Sequence, residues 1–108
     1  MRTEQIRFQQ TVQPLQGIRD EDFVPLDGRI TSVCIHWPLN CNALVDVAVG
    51  HGHKQFMPIG GFLALNDATP VFACSEDCKR NETVWAIIQN TDGFAAHTIS
   101  VIITIEGD

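Results

Sequence analysis

Residues 83–106, TVWAIIQNTDGFAAHTISVIITIE, decide the fold. Thr83–Asn90 and Thr98–Glu106 read as two strands joined by a loop that carries Asp92 and Gly93. In the last strand Ile99, Val101, Ile103 and Ile105 share one face and Ser100 and Thr104 the other, because side chains of a strand alternate with period two. Asp-Gly between two such runs predicts a hairpin. In the earlier strand both faces are apolar, with Val84, Ala86 and Ile88 on one side and Trp85 and Ile87 on the other. One face of an antiparallel sandwich strand ordinarily meets water. The second apolar face therefore predicts a cover, supplied by another segment of the chain or by a neighbouring protein.

Working outward, the same alternation recurs. Gln5–Val12 sets Ile6, Phe8, Gln10 and Val12 against Arg7, Gln9 and Thr11. Pro14–Gly17 ends that run, which makes residues 1–17 an N-terminal strand or arm ahead of a sandwich over 18–108, within one domain. Ile18–Leu26 holds Asp20, Glu21 and Asp22, and Pro25 cannot donate to a ladder, so this stretch reads as a sheet edge or an extended loop. Arg29–Trp37 follows as a strand, with Val33, Ile35 and Trp37 on one face against Ser32, Cys34 and His36. Ala43–Val49 is another, with Val45, Val47 and Val49 inward and Asp46 outward. Gln55–Pro58, Phe62–Leu65 and Val71–Cys74 are further short strands, and Gly, Pro, Asn and Asp divide them all. Segments spaced by roughly ten residues predict an all-β, antiparallel β-sandwich of jelly-roll or Ig-like type, with about eight short strands.

The chain has 108 residues and a net charge of −6. Its seven basic residues are scattered, with only Lys79 and Arg80 adjacent. A nucleic-acid partner needs a basic stripe to displace counterions, and an anionic membrane surface repels this charge. Neither partner is expected. The polar start, Met1-Arg2-Thr3-Glu4-Gln5, lacks the apolar core of a signal peptide, and no apolar run is long enough for a membrane helix. Synthesis and folding in a cytosol are the expectation.

Four cysteines, Cys34, Cys41, Cys74 and Cys78, allow three pairings. The sequence-local scheme joins Cys34 to Cys41 and Cys74 to Cys78, the latter around a short polar loop, Ser75-Glu76-Asp77. Four free thiols, as in a reducing compartment, stand beside it. His51 and His53 are the metal-ligand candidates, since a spacing of two on a strand points both imidazoles to one side. His36, His97 or Cys34 would have to complete such a site, and the glycines flanking the pair equally suit a mobile, solvated loop. Cys74-x3-Cys78 lacks the knuckle spacing of structural zinc, and the order of Met, Cys and His excludes a blue-copper site.

No serine lies in a nucleophile elbow, and Cys34 beside His36 reads as packing rather than a thiol–imidazole pair. Asp20-Glu21-Asp22 reads as a solvated cluster and Asn81-Glu82-Thr83 as an idle sequon outside a secretory route. His97 is expected to pin the 91–96 loop by bonding a backbone carbonyl. No cofactor motif and no set of nucleophile, base and orienting group is evident, so the chain reads as non-enzymatic. A metal- or carbohydrate-binding module is the alternative, in which an exposed Trp37 or Trp85 would stack on a sugar ring.

Two stretches, GRITSVCIHWPLNCNALVDVAVGHGHKQFMP (28–58) and VWAIIQNTDGFAAHTISVIITIEG (84–107), together resemble small all-β proteins among tailed-phage and prophage structural genes. The shared pattern is a glycine turn, a strand ending in proline, a Cys-bearing turn, a Val-rich strand and a final "HTISV" strand. The resemblance implies a virion accessory protein, a capsid decoration or head–tail fitting. Such a protein is made in the host cytoplasm and resides in the virion. Its partner is protein, either further copies of itself as a homo-oligomer or the major capsid protein. Ile6 and Phe8 on the N-terminal arm, with Trp85 and Ile87 on the doubly apolar strand, are the expected interface residues.

Overall fold

A computed structural model describes residues 1–107. Eight strands build it: β1 (Arg2–Val12), β2 (Gly17–Phe23), β3 (Gly28–His36), β4 (Val45–His51), β5 (Lys54–Met57), β6 (Val71–Cys78), β7 (Thr83–Asn90) and β8 (His97–Gly107). They form two four-stranded sheets with orders β1-β8-β3-β6 and β2-β7-β4-β5, antiparallel throughout. The fold is therefore an all-β sandwich, and its interleaved strand order is that of a two-sheet jelly roll.

The inward residues carry the sandwich. Ile99, Val101, Ile103 and Ile105 of β8 are fully buried, as are Val33 and Ile35 of β3 and Val45, Val47 and Val49 of β4. Hiding a Val or Ile side chain contributes about 1.5–3 kcal/mol relative to leaving it in water, so these three central strands supply much of the driving force. β8 reproduces the predicted alternation along its whole length.

The Asp92-Gly93 loop does not close a hairpin. β7 and β8 belong to opposite sheets, and the loop arches from one layer to the other. Six residues, 91–96, separate the strands, ample to cross the roughly 10 Å between packed sheets. The β4–β5 connection is the one between consecutive strands that stays within a sheet.

The N-terminal segment is not a detached arm. β1 pairs with β8 from Arg2↔Gly107 to Val12↔His97, which turns Ile6 and Phe8 into the core at 5% and 4% exposure. They are internal packing residues, not interface residues. Cys74 and Cys78 likewise do not flank a loop: strand β6 runs straight through them. Four residues of extended chain span about 13 Å, beyond the Cα separation a disulfide tolerates. All four cysteines are free thiols.

Candidate functional site

The doubly apolar strand is covered by its own subunit. Gly50 of β4 lies opposite Trp85 of β7, and the indole occupies the space that a side chain at Gly50 would fill. A Cβ there would stand 1.9 Å from the ring. The Trp85 Nε1–H donates to the Gly52 carbonyl at 2.8 Å, and the Arg19 guanidinium lies 4.6 Å from the ring centroid. Glu21 holds Arg19 in place at 2.9 Å. Trp85 is left only 6% exposed, so the expected docking patch centred on it is closed, with Ile87 half-buried beside it. Trp37 is fully buried, its Nε1–H donating to the Val45 carbonyl at 3.0 Å. Neither indole presents a face to a sugar ring.

The two candidate metal-ligating histidines diverge. His51 is the last residue of β4, and Gly52, with a φ of 60°, turns the chain so that His53 projects into solvent. His51 enters an open cleft of about 470 Å³ lined by Asp27, Gly28, Asp77, Cys78, Lys79 and Glu82. Its Nε2 lies 3.0 Å from Glu82, and its Nδ1 lies 3.5 Å from Glu76, an inward-facing carboxylate of edge strand β6 that also binds Lys54 at 3.1 Å. The Lys79 backbone N–H and the His51 imidazole, both bonded to Glu82, hold its carboxyl below the usual range.

Burial, then the charges of Glu82, Asp77 and Glu76, push the Cys78 thiol up. A thiol kept protonated in this way is not prepared as a nucleophile. His36 bonds Thr69 at 2.8 Å and His97 lies in a loop base, so the four imidazoles serve separate places. Among the described residues no three His, Cys, Asp or Glu side chains converge as metal ligands.

The other end of the sandwich has a different character. Four connections meet there: 13–16, 37–44, 58–70 and 91–96. Backbone bonds stitch them together, Leu15 N–H to the Asp92 carbonyl at 3.2 Å, Thr91 N–H to Leu44 at 2.8 Å and Ala43 N–H to Leu65 at 3.3 Å. Each connection presents an apolar tip to water: Leu15 at 73% exposure, Leu39 at 61%, Phe94 at 98%, with Leu44 and Leu65 beside them.

A buried polar knot supports the 91–96 arch beneath those tips. Asn90 Nδ2 donates to the carbonyls of Val12 and Ala95, and its Oδ1 accepts from the Asp92 N–H. The Asp92 carboxylate accepts from His97 Nε2 at 2.8 Å and from the Phe94 N–H at 2.8 Å. These bonds, His97 foremost, hold the Asp92 carboxyl below its ordinary range. His97 does pin the loop, with a carboxylate as partner in place of the expected backbone carbonyl. Sequence reasoning missed this end because a lone Leu or Phe between turn residues carries no periodicity; the signal present was Leu15, Leu39 and Phe94, each set among Pro, Asn or Gly.

No protein-family model matches the chain, and no curated protein matches it in sequence. Solved structures do share its fold. The crystal structure of FLHE aligns over 97% of this chain and 98% of its own length, with a TM-score of 0.53 at 12% identity. The Yersinia pseudotuberculosis-derived mitogen aligns over 97% of this chain and 88% of its own, with a TM-score of 0.55 at 11% identity. At these identities the likeness is one of fold.

Proposed function

We propose that this protein is a non-enzymatic structural component that acts by docking to other protein, through self-association or against a protein shell. The role that best joins the residues to the resemblance of 28–58 and 84–107 is decoration or accessory component of a phage-like virion. One observation carries the docking reading: four connections at one end are hydrogen-bonded into a fixed platform whose tips are Leu15, Leu39 and Phe94, all largely in water. Large apolar side chains gathered on a rigid, nearly uncharged surface favour a protein neighbour, whose contact removes them from water. The jelly-roll order adds an association with capsid architecture, though fold alone does not assign function.

The test is co-sedimentation with tailed-phage heads stripped of their decoration protein. Saturable binding that Leu39→Ser weakens at least tenfold is expected. Heads that pellet without this protein overturn the virion assignment.

A further inference from the structure

We infer that the apolar loop end is a homotypic interface, occupied by the same end of a second copy of this chain. The inference rests on the docking reading above and names the immediate partner. Three observations carry it.

The first is backbone strain. Leu15 has a φ of 59° and Ala43 one of 58°, in the left-handed region that non-glycine residues rarely enter. Asn40, Asn42 and Asp67 adopt it too, so five of the six such residues in the structure lie in these connections. Asn and Asp tolerate that conformation through local side-chain bonds; a leucine does not. Leu15 thus combines an unfavourable backbone with a side chain left in water. The Leu15 N–H bond to the Asp92 carbonyl holds that backbone within the subunit and keeps the side chain fixed outward, presented to a neighbour.

The second is the distribution of charge. Across the four connections the only charged side chains are Asp67 and Asp92, and His97 engages Asp92. Around the clefts at the opposite end Asp27, Glu76, Asp77, Glu82 and Glu106 outnumber Arg29, Lys54 and Lys79, which leaves that end acidic. Two copies of a chain with net charge −6 repel in most orientations, and least where loop end meets loop end. The third is size. The molecule measures 45 × 22 × 22 Å. Its end covers on the order of 500 Å² per copy, short of the roughly 800 Å² per partner of a standard interface, so the dimer is a weak, concentration-dependent one.

Sedimentation velocity from micromolar to millimolar concentration tests this with Leu15→Asn, Phe94→Ser and the control Phe23→Ser, which removes a phenylalanine exposed elsewhere. The wild type and Phe23→Ser should shift from monomer to dimer as concentration rises. Leu15→Asn and Phe94→Ser should weaken that dimer at least tenfold. The melting temperature of dilute Leu15→Asn should be unchanged or higher, because asparagine suits the left-handed backbone. A wild type that stays monomeric at millimolar concentration overturns the inference, and so does a dimer that all three substitutions affect alike. Binding to stripped heads by a strictly monomeric wild type would sink this inference while sparing the docking reading. Dimerisation without binding to heads would do the reverse to the virion assignment.

Discussion

His51 and Glu76 face each other across the two layers of the sandwich, Nδ1 to Oε2 at 3.5 Å, each largely withdrawn from water. His51 ends β4 in one sheet and Glu76 lies on edge strand β6 of the other, so the contact ties the layers where no backbone ladder joins them. An inward-pointing charge on an edge strand also discourages pairing with a foreign strand.

Removing Glu76 should therefore loosen that edge. Glu76→Ala is expected to cost about 1–2 kcal/mol, since it removes the partner of His51 Nδ1 and of Lys54 while Glu82 still holds His51 Nε2. Adding His51→Ala should cost less in that background than alone, a coupling of about 0.5 kcal/mol or more by double-mutant cycle. Urea denaturation followed by circular dichroism measures both.

Gly50 is irreplaceable for a steric reason. A Cβ there would stand 1.9–2.4 Å from three atoms of the Trp85 ring. Gly50→Ala should destabilise the protein by about 2–4 kcal/mol and red-shift the tryptophan emission as Trp85 is displaced toward water.

The Asp92–His97 pair predicts an acid limb. The Asp92 carboxyl is held below its ordinary value in the folded state, so its contribution is complete above the unfolded carboxylate range. That contribution is lost as the pH falls through the depressed folded value, which places the loss below about pH 4. Asp92→Asn should flatten the stability curve between about pH 4 and pH 2 relative to the wild type. It should also raise hydrogen exchange in the 91–96 arch.

Thiol chemistry reports on the core. Burial raises the Cys41 and Cys78 thiols, with Asp92 adding to the first and Glu82, Asp77 and Glu76 to the second. Neither should react with a disulfide reagent in the native protein at neutral pH, and both should titrate promptly in urea. Mass spectrometry after alkylation under denaturing conditions should count four free thiols.

The faces of the strands were legible in the sequence, and the connections between them were not. The alternation of β8, β3 and β4 is a local property, and each of these strands folds with the face it predicts. Whether Asp92-Gly93 turns back within a sheet or arches between sheets depends on where β2 and β4 flank β7, information lying some forty to seventy residues away. Trp85 reads as surplus for the same reason: its cover comes from Arg19, Gly50 and Gly52. Ile6 and Phe8 read as an arm's contact residues only until β8 is known to lie beside them. The histidine pair fails on a single torsion, the positive φ of Gly52, which separates side chains that an unbroken strand would align.

Because Arg2–Val12 lies against His97–Gly107, the first and last strands of the sandwich are immediate neighbours in space. During synthesis β1 and β3 must wait for β8, the strand that joins them. Premature termination near residue 97 would leave β1 and β3 with no strand between them, and the product would go to proteolysis instead of serving as a smaller working domain.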